Sequence, residues 1–453
     1  MKRNALIIIG LIISLAAVMA LGYGGYCAGS SSGSSRAASS SASWKTPVLL
    51  ETDNSGDVAD PVLAMNGSGN AVAIWPQSNG VTTHLYAKNY IAGTGWAVTN
   101  TLIETESTYS AFSQDLAMNA NGCAVAIWLQ ADGTRNNLWT NRAVTGTTWS
   151  APALLESSTE AINGYPWPQV AINNSGNAIA IWIQSDGITN NIYANRYISG
   201  TGWAGAELVE NDDAEWSMNY APQVALDNSG NATAVWVQND GTWDNIYANR
   251  YISGTGWAGR QLLEATGGNA GSPQIAIDNL GNAMAVWSQD PSPSIYANRY
   301  VSGTGWAGAV EIDTGVGASV PQVAMNNSGN AVAVWNQGAP CKAYGSYYIS
   351  GTSWATAQLI SDGVQVTTQP QIAMNASGNA MALWYQYDGS TWLKVWANRY
   401  VAGTGWAGPA SVGANTNLIN SQRIVLDASG NAIAVWSQQL TGEKYNLWAN
   451  RFE

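Results

Sequence analysis

Charged residues are scarce in this chain of 453 residues, where Asp, Glu, Lys and Arg together make up 10%. The formal net charge is −12, and only 17 residues are Lys or Arg. These basic residues are scattered along the sequence, whereas binding to nucleic-acid phosphates requires clustered Lys and Arg. We therefore expect no nucleic-acid partner.

Histidine and cysteine are also rare, with one and three residues respectively. His84 has no Ser or Cys partner in a recognisable motif, so the sequence offers no Ser-His-Asp or Cys-His mechanism. It contains no Gly-rich phosphate loop between a strand and a helix, and no His/Cys cluster that indicates zinc. Three cysteines do not form a disulfide framework, and we expect Cys123 and Cys341 to be free thiols.

The apolar run at the N-terminus marks a segment outside the fold. Lys2 and Arg3 precede a predominantly apolar stretch at residues 5–21. Such a segment is typical of an export signal or a short membrane anchor, and we assign residues 1–27 to it. The Ser-rich residues 28–42 then form a flexible tether. We expect any membrane contact to be made by this N-terminal segment alone.

Three destinations remain open for the exported chain. Cys27 follows the apolar segment and precedes the tether, an arrangement that resembles bacterial lipoproteins and makes Cys27 a candidate lipidation site. Tyr26 departs from the small residue that the lipoprotein motif has before its cysteine. Cleavage after Ala20 would instead release the protein, and an uncleaved anchor would hold it in the membrane. We expect location at the cell envelope or surface, or secretion.

Three phrases recur in fixed order along the rest of the chain. The first is G-N-A-x-A-[VIL]-W-x-Q, the second is I-Y-A-N-R-Y, and the third is S-G-T-G-W-A-G. The tryptophan of the first phrase returns every 48 to 54 residues, a period typical of propeller blades and some helical arrays. It occupies eight positions: Trp75, Trp128, Trp182, Trp236, Trp287, Trp335, Trp384 and Trp436.

The phrases predict strands rather than helices. They are short, rich in β-branched and aromatic residues, and punctuated by Gly and Asn every 8 to 12 residues. Each repeat offers four strands, here called A ("PQVAM"), B ("NAVAVWNQ"), C ("IYANRY") and D ("WAGAELVE"). Strands B and C are apolar on both faces, as expected where blade packs on blade.

The two ends of the repeat region predict how the ring closes. Residues 44–51 read as strand D alone, and the chain ends on a strand C. The N-terminal strand can therefore complete the last blade and remove exposed edges. This layout resembles the closure of WD-repeat propellers. We predict an all-β, eight-bladed β-propeller at residues 43–453, with four antiparallel strands per blade and a monomeric ring.

One face of this ring varies between blades while the other stays constant. The A–B turns ("NNSGN") and the C–D turns ("SGTGW") are alike in all repeats, but the B–C and D–A loops differ in each. A constant scaffold with one variable face is typical of a binding surface, although neutral drift would give the same pattern.

Most tryptophans have structural positions, and the exceptions lie in the variable loops. Nineteen of 23 occupy register positions in strands B, C and D, where we expect core packing. Four do not: Trp167, Trp216, Trp243 and Trp392. Flat rings stack on the apolar faces of sugars, so these four are candidate ligand-binding residues. The alternative is that they cover gaps between loops.

Acidic residues gather in the same loops. They are Asp186, Glu210, Asp212, Asp213, Glu215, Asp240 and Asp244. Five of them, Asp186, Asp213, Glu215, Asp240 and Asp244, are candidate partners for sugar hydroxyls. Carboxylates at short spacing can also hold Ca²⁺, although no EF-hand loop is present, or can form a solvated acidic face. We expect no other cofactor.

The recurring arginines have a structural explanation. Six occupy one register position of strand C: Arg142, Arg196, Arg250, Arg299, Arg399 and Arg451. A sixfold repeat does not suit a single catalytic site, and we expect these side chains to stack on neighbouring aromatic rings.

Three functions are compatible with this pattern. The repeats resemble those of bacterial surface and secreted repeat proteins over about residues 44–453, a resemblance that implies a propeller but no particular activity. The variable face and its tryptophans favour a multivalent carbohydrate-binding or adhesion module, as in propeller lectins. A scaffold that binds a surface protein is the first alternative. A polysaccharide hydrolase or lyase, using two of the loop acids, is the second.

Overall fold

The computed structural model describes one compact unit within residues 42–453. Inside this range it does not describe residues 52, 106–107, 145–147, 157–161, 163–166, 186–188, 211–219, 265–266, 388, 390–392, 414–417 and 441–442. In the part of the chain that the structure describes, no helix is long and apolar enough to cross a membrane. Cys123 and Cys341 are free thiols, as expected.

The described residues form eight antiparallel sheets, each built from strands A, B and C of one repeat and a strand D. Strands A, in blades 1 to 8, are Val62–Met65, Ala111–Met118, Gln169–Ile172, Tyr220–Leu226, Ala270–Ile277, Ser319–Met325, Thr367–Met374 and Leu418–Leu426. Strands B are Ala71–Ser78, Ala124–Ala131, Ala178–Ser185, Ala232–Asn239, Ala283–Gln289, Ala331–Gln337, Ala380–Tyr387 and Ala432–Gln439.

Strands C and D complete the sheets. Strands C are Thr83–Ile91, Asn136–Ala143, Asn190–Ile198, Asp244–Ile252, Ser294–Val301, Lys342–Tyr348, Leu393–Val401 and Tyr445–Phe452. Strand D is continuous in blades 3 and 7, as Gly202–Leu208 and Gly405–Ser411. In blades 1, 4 and 5 it consists of two short segments: Gly95–Trp96 and Thr101–Leu102, Gly256–Trp257 and Gln261–Leu262, and Gly305–Trp306 and Val310–Glu311. Blades 2, 6 and 8 have Ala153–Leu154, Gln358–Leu359 and Val48–Leu49.

Strand B forms the core of each blade. Its tryptophan is at most 1% exposed in all eight blades. The indole Nε1 of Trp75 donates a hydrogen bond to Oε1 of Gln77, and the same Trp-x-Gln bond recurs in every blade at 2.8–3.2 Å. A buried indole N–H requires such an acceptor. The bond therefore explains why the glutamine belongs to the repeated phrase. The tryptophans of strand D are only half-buried.

Neighbouring blades are joined by the asparagine of strand C. Asn249 Nδ2, for example, donates to the backbone oxygen of Val209 in the preceding blade at 2.6 Å. Six asparagines make this bond, at 2.6–3.1 Å: Asn141, Asn195, Asn249, Asn298, Asn398 and Asn450. Each satisfies a backbone acceptor that blade packing removes from water.

The arginine of strand C stacks on an aromatic ring of the next blade, as the sequence predicted. All six guanidinium groups lie 3.5–5.7 Å from the ring centroid. Arg142 lies over Tyr197, and Arg451 of the last blade lies over Tyr90 of the first. These contacts are cation–π interactions, and the recurrence of arginine is therefore structural.

The N-terminal strand closes the ring. Val48 pairs with Ala449, and Leu50 N donates to Leu447 O at 2.8 Å. Each strand A contacts the strand A of the next blade, and the eighth contacts the first. The predicted eight-bladed β-propeller with N-terminal closure is therefore confirmed.

Strand A contains a bulge that the sequence analysis did not foresee. In blades 2, 4, 5, 6 and 7 the register shifts where one residue has a positive φ of 50–53°: Ser113, Ala221, Ser272, Val320 and Gln369. Asp60 and Trp167 have φ of 34° and 37° at the same repeat position in blades 1 and 3. Non-glycine residues rarely adopt this conformation, so the bulge re-aims side chains at the end of strand A.

Candidate functional site

The constant face of the ring is held together by its turn residues. Asn173 Oδ1 accepts hydrogen bonds from the backbone N–H groups of Ser175 and Asn177, and so closes the A–B turn. Asn177 Oδ1 accepts from Ser199 N at 2.9 Å, and so ties this turn to the C–D turn. Gly176 between them has φ of 80°, which favours glycine. The fold therefore explains why similar turn sequences recur between the repeats.

On the opposite face, the B–C loops of three blades contain the same turn, which is closed by an Asp or Asn side chain. Asp240 Oδ1 accepts hydrogen bonds from the N–H groups of Thr242 and Trp243, at 2.8 and 2.9 Å. These bonds lower the pKa of Asp240. Asn79 and Asp132 form the same turn in blades 1 and 2, where the residues equivalent to Trp243 are Thr82 and Arg135. The turn therefore does not require an indole, although Trp243 is 44% exposed.

Trp167 is a second exposed indole on this face of the ring. Its left-handed backbone conformation is shared by Ser113 and Ala221 at the same repeat position, so no large side chain is needed there. The Trp167 side chain is 43% exposed. Its ring lies 6.4 Å from the ring of Tyr220, at an interplanar angle of 51°. Trp167 thus extends from blade 3 to the start of strand A in blade 4.

Tyr220 connects this indole to an acid. Its hydroxyl donates a hydrogen bond to Asp244 Oδ2 at 2.9 Å, and Asn239 Nδ2 donates to Asp244 Oδ1 at 2.8 Å. Burial, together with the bond to Asp244, raises the pKa of Tyr220. Asp244 N donates to Asn269 Oδ1 at 3.1 Å. The carboxylate is therefore fixed, and each oxygen keeps a lone pair that can accept a further hydrogen bond.

These contacts bring together four of the residues predicted from the sequence. We call Trp167, Tyr220, Asp240, Trp243 and Asp244 the loop-face cluster. Trp167 contacts Tyr220, Tyr220 binds Asp244, and Trp243 precedes Asp244 in the chain. The cluster therefore combines two exposed indoles with an oriented carboxylate. It can stack on an apolar ring face and accept hydrogen bonds from hydroxyl groups.

Five predicted residues lie outside the described residues: Trp216, Trp392, Asp186, Asp213 and Glu215. Glu210 lies in the described part and has a structural role. It is 1% exposed, and its carboxylate oxygens accept from Ile192 N at 2.6 and 2.8 Å. Among the residues that the structure describes, no three His, Cys, Asp or Glu side chains form a group that could hold a metal ion. A Ca²⁺ site stays a prediction.

Sequence reasoning missed Tyr220, Asn239 and Asn269. Tyr220 lies four residues before the "VAL" of strand A, and Asn239 ends strand B, so both read as ordinary strand residues. Tyr220 takes part because the bulge at Ala221 displaces the end of strand A. The sequence offers no signal for this role, because the residue types at the bulge position do not favour a positive φ.

His84 is part of a hydrogen-bonded chain in blade 1. Asn79 Oδ1 accepts two backbone N–H groups, so its Nδ2 lies 3.0 Å from His84 Nε2 as a donor. Nε2 is then an acceptor, and Nδ1 donates to Glu104 Oε1 at 2.8 Å. The Thr82 hydroxyl also lies 2.9 Å from Nε2. A catalytic role for this chain would require backbone N–H groups nearby that can stabilise an oxyanion. The N–H groups of Val81 and Thr82 both donate to Asn79 Oδ1, so neither can do this.

Comparison with known proteins supports the fold. The sequence matches no protein-family model and no curated protein. Among solved structures, the BP39L lectin from Burkholderia pseudomallei is similar with a TM-score of 0.52 and 13% identity, over 80% of this chain and 99% of that chain. The six-bladed propeller lectin of Aleuria aurantia has a TM-score of 0.39 and 13% identity, over 79% of this chain and 96% of that chain.

Polysaccharide-degrading enzymes are also among the similar structures. A PL25 ulvan lyase, bound to a fragment containing GlcA and sulfated rhamnose, has a TM-score of 0.47 and 9% identity, over 73% of this chain and 90% of that chain. At 13% identity, the similarity to the BP39L lectin shows a shared fold and nothing more specific.

Proposed function

We propose that this protein is a carbohydrate-binding and adhesion module whose loop-face cluster contacts a glycan. The observation that supports this most directly is the exposure of two indoles at the residues joined by the Tyr220–Asp244 bond: Trp167, whose ring lies near Tyr220, and Trp243, which precedes Asp244. Neither indole is required by the backbone around it. An exposed indole that the fold does not need is best explained by a ligand that covers it.

The chemistry of the cluster matches a sugar. Pyranose rings have an apolar face, on which an indole stacks, and hydroxyl groups, which a carboxylate accepts. Asp244 is held by two donors, so little conformational freedom is lost when a hydroxyl binds to it. The similarity to the BP39L lectin agrees with this proposal at the level of the fold.

Multivalency follows from the proposed location. Export by residues 1–27 and attachment through Cys27 or an uncleaved anchor would display many copies of the ring on one surface. Weak single sites would then add up to strong avidity. Secretion after cleavage at Ala20 would leave the binding chemistry unchanged but would remove this source of avidity.

The proposal is tested by probing a broad glycan array with residues 42–453, with and without Ca²⁺. The parent protein should bind a subset of glycans, and Trp243→Ala should lose that binding. Val81→Ala is a matched control, because Val81 is 91% exposed on the equivalent loop of blade 1. Binding that requires Ca²⁺ would support the predicted metal site.

A parent protein that binds no glycan would overturn the proposal and favour the alternative of a scaffold for a surface protein. Release of reducing ends or unsaturated products from a bound polysaccharide would instead favour the hydrolase or lyase.

A further inference from the structure

The strand-C arginines differ in what their guanidinium groups bind. Arg142 Nη2 donates to Gly176 O of the next blade at 3.1 Å. Arg299 Nη1 donates to the Tyr348 hydroxyl of the next blade at 2.8 Å. Arg451 makes the equivalent bond to Tyr90 at 2.7 Å. In these three blades the side chain therefore crosses the cleft between blades and fills it.

Arg196 of blade 3 also lies over a ring of the next blade, 4.3 Å from the centroid of Tyr251, but its hydrogen bond goes to its own sheet. Its Nε donates to Glu207 Oε1 on strand D at 2.9 Å. Glu207 pairs in register with Ala194. At this register position the other blades have no acid: Thr101, Ala153, Gln261, Val310, Gln358, Ala410 and Val48. Among the described strands D, only that of blade 3 has an acid at this position; Arg250 is held in its own blade by Asp227 and Thr233 instead.

An open cleft accompanies this ion pair. Between blades 3 and 4, on the face of the A–B and C–D turns, lies a cavity of about 580 Å³ lined by both Arg196 and Glu207. The equivalent clefts between blades 1 and 2 and between blades 8 and 1 measure about 170 and 90 Å³. In the smallest of the three, Arg451 extends across the cleft to Tyr90. The largest of the three clefts is therefore the one that contains the ion pair.

The cleft presents both donors and acceptors. The side chains of Arg196 and Glu207 are 27% and 36% exposed, so both remain accessible beside their mutual bond. Ser253 and Thr255 add hydroxyl groups on the blade 4 side. Leu226 forms an apolar part of the wall. Because the charges of the ion pair balance, the cleft favours a neutral polar ligand over an anion.

We propose that this cleft is a second binding site, for one neutral pyranose unit. Arg196 donates to one ring hydroxyl and Glu207 accepts from the adjacent hydroxyl, while the apolar face of the sugar lies on the wall at Leu226. The volume suits a small ligand, since ligand sites commonly measure about 300–1,000 Å³. The site lies on the face opposite the loop-face cluster and does not depend on it.

The test is a titration of the full chain with free glucose, galactose, mannose, fucose and glucuronate, followed by saturation-transfer NMR. At least one neutral pyranose should bind, and Glu207→Ala should weaken that binding by about tenfold or more, because it removes the acceptor for a sugar hydroxyl and the partner that orients Arg196. Gln261→Ala is the matched control at the same register position in blade 4, and it should bind like the parent. Trp243→Ala should also keep this binding.

Three results would overturn the inference: no neutral pyranose binds, glucuronate binds better than every neutral sugar, or Glu207→Ala binds like the parent. Glu207→Gln gives a further check. Its amide oxygen can still hold Arg196, so this variant should bind better than Glu207→Ala. Loss of monosaccharide binding in Trp243→Ala would place the site at the loop-face cluster instead.

Discussion

Tyr220 and Asp244 are joined by a hydrogen bond of 2.9 Å between the hydroxyl and Oδ2. Tyr220 begins strand A of blade 4 and Asp244 begins strand C, so the bond spans the end of strand B between them. It orients the carboxylate of Asp244 and holds the ring of Tyr220 next to the ring of Trp167. The loop-face cluster is thus one connected arrangement across two blades.

Tyr220→Phe should leave the fold intact and weaken glycan binding. Loss of one hydrogen bond to a carboxylate should lower the free energy of unfolding by about 1 kcal/mol. Without the Tyr220 hydroxyl, Asp244 should be less well oriented, and the dissociation constant of the glycan should rise about fivefold. Tyr296→Phe, at a strand-C position of blade 5, removes a hydroxyl outside the cluster and should bind like the parent. Equal binding by both variants would contradict the role of Tyr220.

Deletion of residues 44–51 tests the closure of the ring. This segment contributes strand D of blade 8 and the buried side chain of Leu50. Its loss exposes the edge of Tyr445–Phe452 and opens the contact between the last blade and the first. We expect the melting temperature to fall by about 10 °C or more. A deletion of equal length within residues 28–42 should not change it, and an unchanged melting temperature in the 44–51 deletion would refute the closure.

Glu264 should make stability depend on pH. Its carboxylate accepts from Ile246 N at 2.9 Å and is 7% exposed. Burial raises its pKa from 4.5 to about 7. The folded state therefore binds the proton more tightly than the unfolded chain does. This contribution to stability is complete below about pH 4.5 and is lost as the pH rises through about 7.

Glu264→Gln should remove this dependence. Relative to the parent, its free energy of unfolding should increase by up to about 3 kcal/mol between pH 4.5 and pH 7.5, since one pKa unit corresponds to about 1.4 kcal/mol. The measurement is urea unfolding of both proteins across this range. Glu443→Gln, which changes an exposed side chain, should follow the parent at every pH. Parallel curves for Glu264→Gln and the parent would disprove the raised pKa.

The repeated phrases allowed the blades, the closure and the arginine stacking to be predicted from the sequence. Residues such as Trp75 and Gln77 recur at fixed spacing, so their shared environment shows in the sequence itself. The bulge at Ala221 could not be predicted, because Ser, Ala, Val and Gln all occupy its position and none favours a positive φ. Tyr220 was missed for that reason.

The contact between Arg196 and Glu207 was not predicted from the sequence for a different reason. Arg196 and Glu207 are 11 residues apart, and their contact depends on the register of strands C and D. In the sequence Arg196 occupies a recurring structural position, and no acid recurs in strand D at the position of Glu207. Trp243 and Asp244 could be named as candidates because they depart from the repeat within a loop of ordinary length.

Carbohydrate binding by the loop-face cluster is tested most directly by calorimetric titration with the glycan that binds most strongly on the array. The proteins compared are the parent, Trp243→Ala, Trp243→Phe and Val81→Ala. We predict that Trp243→Ala weakens binding by about tenfold or more, which corresponds to about 1.4 kcal/mol. Trp243→Phe should fall between Trp243→Ala and the parent, and Val81→Ala should match the parent. Equal affinity of the parent and Trp243→Ala, with both proteins folded, would contradict the central claim that the loop-face cluster binds carbohydrate.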